Sequence, residues 1–241
     1  MSDIVLFATF PYVASLVFLI GAIYRYRYQG FKFSSLSSEF LEGKKLFWGS
    51  TSFHNGILVI FFGHLLAFAI PRSILAWNQV PLRLFILEVS ALAFGLLVVI
   101  GLLALIHRRL TNKRINIVTT KMDWIVLSLL LFQALSGVWV AIFNNWGSSW
   151  FAAVLSPYLW SIITFNPDIS SVSTLPFSIK LHIIGAFTII TLTPFTRLVH
   201  FLVFPLNYSW RPYQQVIWYW DRKEIRNPRS FVHIPQDPKN N

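Results

Sequence analysis

SFHNGILVIFFGHLLAFAI, residues 52–70, is a long apolar stretch that carries two histidines, His54 and His64. Crossing the hydrocarbon core of a bilayer takes about 20 mostly apolar residues. The stretch has that length and stops at Pro71. An ionisable side chain at that depth is expensive, so it persists there with a partner or a task. Four further stretches have the same character. They run roughly from Ile4 to Tyr24 with Pro11 as a kink, from Leu82 to Ile106 with Glu88, from Trp124 to Phe143, and from Ile179 to Leu206. The last contains His182, Pro194, Arg197 and His200. The expected fold is all-α, an integral membrane bundle of five transmembrane helices over residues 1–206, with a tail at 207–241. WFAAVLSPYLWSIITF, Trp150 to Phe165, is too short to span and is broken by Pro157. Its aromatic residues suit the membrane interface.

Composition supports a membrane protein. The 241 residues are 55% hydrophobic and 12% charged, where a soluble chain is about 25% charged. There is no cysteine, which excludes disulfides, thiolate-bound clusters, thioether-attached haem and a thiol nucleophile. The net charge of +11 lies beside apolar segments, with no basic groove motif, so nucleic acid is not an expected partner. The first apolar run has neither a basic leader nor a small-residue cleavage site, and reads as a retained helix.

The basic residues set the expected orientation. Loop 24–50 carries Arg25, Arg27, Lys32, Lys44 and Lys45. Loop 107–123 carries Arg108, Arg109, Lys113, Arg114 and Lys121. The tail carries Arg211, Arg222, Lys223, Arg226, Arg229 and Lys239. The opposite side has Arg72, Arg83 and Lys180. An excess of lysine and arginine marks the cytoplasmic side. The N-terminus is therefore expected outside and the tail in the cytoplasm, where it would lie along the membrane or dock on a partner. The location is the cytoplasmic (inner) membrane, as a multi-pass protein in contact with lipid.

This topology orders the histidines by depth. His54 and His200 fall near the cytoplasmic face, and His64 and His182 toward the outside. Histidine is a common ligand of haem iron, so two antiparallel helices with two histidines each can hold two haems. On ideal helices His54 and His64 are about 15 Å apart axially, and His182 and His200 about 27 Å apart on one face. Gly56 and Gly63 leave room for a macrocycle beside the second helix. His107 and His233 read as surface histidines. Arg197 precedes His200 by three residues and, with Arg108 and Arg109, is a candidate partner for haem propionates.

Several stretches together resemble the gamma subunit of respiratory nitrate reductase, a dihaem membrane cytochrome b family. They are FPYVASLVFLIGAIYRY (10–26), FHNGILVIFFGHLLA (53–67), IHRRL (106–110), LHIIGAF (181–187), FTRLVHFLVFPLNY (195–208) and RPYQQV (211–216). The resemblance implies five helices and two b haems. His54 and His200 would ligate the inner haem, and His64 and His182 the outer one. It also implies a quinol site beside the outer haem. A basic residue opens the third helix in this family; in AWNQVPLRLF (76–85) Arg83 stands where lysine is expected. Arginine can hydrogen-bond a quinone oxygen but is a poor proton acceptor. Gly63, Arg83 and Glu88 are the residues expected at the quinone site, with Glu88 pairing with Arg83 or relaying a proton. Electrons would leave for a cytoplasmic iron–sulfur subunit and a molybdenum catalytic subunit, since nothing on this chain handles nitrate. Cytochrome b subunits of nitrite-oxidising, sulfite-reducing or heterodisulfide-reducing complexes are alternatives. A histidine-relay transporter is an alternative of another class, though no inverted repeat supports it.

Overall fold

The computed structural model describes residues 2–28 and 44–202. Five helices among them are long and apolar enough to cross a membrane. We name them α1 (Phe10–Tyr28), α2 (Lys44–Ala69), α3 (Pro81–Thr111), α4 (Lys121–Phe143) and α5 (Phe177–Leu192). The loop 29–43 and the tail 207–241, with its expected docking role, lie outside the described residues.

Local chemistry sets the helix ends. Ile70, before Pro71, leaves the helical region (φ −130°, ψ 57°) and closes α2, because proline crowds the helical conformation of the residue before it. Pro81 opens α3 at a position where no N–H is needed. Thr120 and Asp123 form a reciprocal capping box that starts α4. A π-turn, Val5–Thr9, leads into α1. Pro11 has no N–H to offer the Phe7 carbonyl one turn back. The Tyr158 hydroxyl donates to that carbonyl at 2.7 Å.

The fifth helix differs from the sequence expectation. It ends at Leu192 instead of continuing to Leu206. Thr193–Phe195 and Arg197–Leu202 are separate 3-10 turns, with Thr196 extended between them (φ −122°, ψ 177°). Pro194 explains the break: it lacks a donor for the Ile190 carbonyl and its ring collides with that turn. The straight-helix distance between His182 and His200 therefore does not apply.

α2 packs on α3, α3 on α4, α4 on α5 and α5 on α1, while α2 makes no comparable packing with α5. The closest approach is α2 against α3. A Cβ at Gly101 would stand 2.5 Å from the Phe53 nitrogen, and one at Gly56 would stand 2.7 Å from Val98 Cγ2 and 2.9 Å from the Phe94 carbonyl oxygen. Gly56 therefore serves helix packing and does not leave room for a macrocycle. Gly63 has nothing within 4 Å, so its surroundings are open. Outward faces are bare apolar side chains such as Leu58, Phe61, Ile100 and Leu103, as lipid contact requires.

The stretch at 150–165 is more than an interfacial segment. It folds as the π-turn Phe151–Leu155 and the short helix Ser156–Ile163. Ala152, Leu155, Ser156 and Tyr158 are buried. Ser156 Oγ donates to the Ala67 carbonyl at 2.9 Å and Trp160 Nε1 to the Phe68 carbonyl at 3.2 Å. The segment thus ties the end of α2 to the start of α1, across the side where those helices are not otherwise packed together.

Candidate functional site

His54 and His64 lie on α2, His182 on α5 and His200 on the 3-10 turn beyond it. His54 and His200 have ring centroids 6.3 Å apart, with planes at 66°. The Phe151 ring meets the edge of His64 at 5.2 Å. Of the two depth pairs expected from the sequence, His54 and His200 are brought together. Among the described residues no three His, Asp or Glu side chains converge on one point.

Each imidazole is oriented by its Nδ1. His54 Nδ1 is 2.8 Å from the Ser50 carbonyl oxygen, His64 Nδ1 2.8 Å from that of Ile60, and His200 Nδ1 2.7 Å from that of Arg197. A carbonyl only accepts, so Nδ1 carries the proton and Nε2 keeps its lone pair. His182 is held differently. Its Nδ1 meets Ser136 Oγ at 2.8 Å, and Ser136 donates its own proton to the Gln133 carbonyl at 2.9 Å. The Gln133 side-chain amide nitrogen, which only donates, also stands 3.2 Å from His182 Nδ1 and 3.3 Å from Nε2, so hydroxyl and amide together hold this ring. Gln133 Nε2 donates to the His182 carbonyl at 3.1 Å. Gly137 makes room for the ring, since a Cβ there would stand 3.0 Å from His182 Cε1. Ser136, Gln133 and Gly137 were missed in the sequence, where polar or small residues in the middle of an apolar span are the signal for them.

The residues fit an iron between two imidazoles. Metal–nitrogen bonds of about 2.0–2.1 Å require two ligating rings to stand apart rather than in contact. The His54 and His200 ring centroids are 6.3 Å apart. His54, His64 and Gly63 are exposed, so a flat group can reach them.

The three arginines expected near propionates cluster at the His54 end. Arg197 Nε is 3.1 Å from Asp123 Oδ1, and Arg109 NH1 is 4.0 Å from Asp123 Oδ2. Arg109 also senses Arg108, which is buried. Asp123 was not singled out in the sequence. The buried Asp123 carboxylate thus takes the guanidinium groups of Arg109 and Arg197 together.

At the His64 end, Arg83 lies in the first turn of α3 with its guanidinium carbon 4.9 Å from the Trp77 ring centroid. Glu88 does not pair with it. Its Oε1 accepts from the Ser148 amide at 2.8 Å and the Ser148 hydroxyl at 2.6 Å. Five residues apart on α3, Arg83 and Glu88 point about 140° apart around the helix, and the one-turn helix Gly147–Trp150 after α4 meets the carboxylate. His107 is exposed, as expected, and His233 lies outside the described residues.

The family model for the nitrate reductase gamma subunit matches residues 3–219. The chain belongs to the nitrate reductase gamma subunit family. It is 37% identical over 217 residues to the nitrate reductase gamma chain of Bacillus subtilis, covering 88% of this chain and 97% of that one. It is 36% identical over 212 residues to the respiratory nitrate reductase 2 gamma chain of Escherichia coli, covering 86% and 93%. The nitrate reductase-like protein NarX of Mycobacterium tuberculosis is 30% identical over 223 residues, 89% of this chain and 33% of that longer protein. A gamma subunit with five membrane-length helices is an integral membrane component of an oxidoreductase complex. That membership sets the histidine-relay transporter aside.

Proposed function

We propose that this chain is the dihaem cytochrome b subunit of a nitrate reductase complex, linking quinol oxidation outside to a cytoplasmic iron–sulfur subunit and molybdenum subunit. The observation that carries the reading is the His54–His200 pair, with ring centroids 6.3 Å apart between α2 and the 3-10 turn beyond α5. His54 and His200 hold the inner haem and His64 and His182 the outer one. Bound there, b haems supply one-electron transfer across the membrane.

The chain's own residues do the rest. The Ser50, Ile60 and Arg197 carbonyls keep Nδ1 of His54, His64 and His200 protonated and leave their Nε2 free to bind a metal, while Ser136 and Gln133 hold the His182 ring. Arg108, Arg109 and Arg197 offset the propionate charge at the cytoplasmic end. Arg83 and Gly63 would frame a quinone oxygen beside His64, where Arg83 can donate hydrogen bonds but, staying charged, would not take the proton. Glu88, bonded to Ser148, shapes the loop that borders this end. With the N-terminus outside, quinol protons leave outside while electrons move inward, so turnover builds a membrane potential.

The test is redox titration of single histidine variants. His64→Ala and His182→Ala remove the outer spectral component, and His54→Ala and His200→Ala the inner one. Loss of one shared component from the His54 and His182 variants would contradict the pairing.

A further inference from the structure

His200 does not sit on α5. It lies on the 3-10 turn Arg197–Leu202, beyond the break at Pro194 and the extended Thr196. A six-residue turn on the far side of such a break is not held in place by its own helix. Something else must keep its ring 6.3 Å from His54.

Two side chains from other helices do this. Arg25, in the last turn of α1, donates through NH1 to the Pro194 carbonyl at 2.6 Å and the Thr196 carbonyl at 2.9 Å. Gly21, one turn earlier, lets α1 approach that far, since a Cβ there would stand 2.7 Å from Pro194 Cβ. From the opposite side, the buried Asp123 of α4 takes Arg197 Nε at 3.1 Å. Asp123 is itself fixed, because its Oδ2 accepts from the Thr120 amide at 2.9 Å. The chain of contacts then reaches the ligand directly, with the Arg197 carbonyl 2.7 Å from His200 Nδ1. Bond by bond, the break is gripped at Pro194, Thr196 and Arg197.

We infer that Arg25 and Asp123 are positioning residues for His200, clamping the broken segment from α1 and α4 so that its imidazole meets the inner iron opposite His54. This rests on the haem reading above. Arg197 therefore has a structural task through Nε, which leaves its terminal nitrogens for a propionate.

The experiment uses the full chain in membranes with its partner subunits, and the variants Arg25→Ala, Arg25→Lys and Asp123→Asn. Asparagine still caps α4 through its side-chain oxygen but no longer carries the charge that holds Arg197. Haem content is measured for each component, with the low-spin ferric EPR signal, which follows the angle between the two imidazole planes. Arg25→Ala and Asp123→Asn should weaken inner-haem retention about tenfold, the scale of lost outer-shell partners. They should also shift the inner signal while leaving the outer haem unchanged. Arg25→Lys, which keeps a cationic donor at the break, should restore part of the inner signal. An unchanged inner haem in Arg25→Ala and Asp123→Asn would overturn the inference, as would parallel loss of both haems. His54→Ala and His200→Ala run beside them. If these lose the inner haem while the clamp variants keep it, the inference alone fails. If they keep it, the haem reading itself fails.

Discussion

Gly101→Ala and Gly63→Ala place the same methyl group in two different surroundings. At Gly101 the new Cβ would stand 2.5 Å from the Phe53 nitrogen, 2.8 Å from its Cα and 2.9 Å from its Cβ, where ordinary contact begins at 3.4 Å. Backbone atoms cannot swing aside. α2 and α3 must separate by roughly 1 Å, an overpacking cost of about 1–3 kcal/mol. Phe53 precedes His54, and their rings touch at 5.1 Å between centroids, so the shift reaches the ligand. Thermal melting of the detergent-solubilised protein should fall by several degrees, and the inner spectral component should broaden or be lost. At Gly63 nothing lies within 4 Å, so the fold without haem should melt as before. The methyl group instead enters the space beside His64, and the outer component and its reduction by quinol should suffer. A Gly101→Ala protein that melts normally with an intact inner haem would refute the close-packing argument. A Gly63→Ala protein with an unchanged outer haem would show that the space beside His64 is not used.

Three other substitutions test separate parts of the account. Ser136→Ala removes the hydroxyl that meets His182 Nδ1, so the outer midpoint potential should shift, with the inner potential unchanged and Ser136→Thr close to wild type in redox titration. Tyr158→Phe leaves the Phe7 carbonyl without the hydroxyl that serves it in place of Pro11, and should cost roughly 1–3 kcal/mol in melting experiments with both haem spectra retained. Arg83→Ala should slow haem reduction by quinol while both spectra stay intact; equal reduction rates and equal inhibitor binding would place the quinone site elsewhere.

Much of this architecture is legible in the sequence because the bilayer imposes a length. Residues 52–70 and 82–106 could hardly be anything but spans, and the direction of successive spans alone orders four histidines into two depths. The fifth span shows where such reading stops. Hydropathy continues through FTRLVHFLVF (195–204), so an apolar count carries the helix onward, while the backbone breaks at Pro194. A proline inside an apolar run is compatible with a kink or a full stop. What decides here is Arg25, whose reach to the Pro194 and Thr196 carbonyls spans 169 and 171 positions in sequence. Gly56 was misread for a related reason. Small size is visible in sequence, but whether the freed space faces a neighbouring helix or open volume is a tertiary fact. Glu88 was expected to pair with Arg83 because both lie on one helix, yet Ser148 from the loop after α4 supplies two donors to the carboxylate.

The central claim is that four histidines hold two haems. Pyridine haemochrome analysis set against protein concentration, with EPR of the oxidised protein, measures it most directly. About two b haems per chain, both low-spin with two histidine ligands, is the predicted result. A ratio near one or zero, or a high-spin signal from a haem lacking its second histidine, would contradict it.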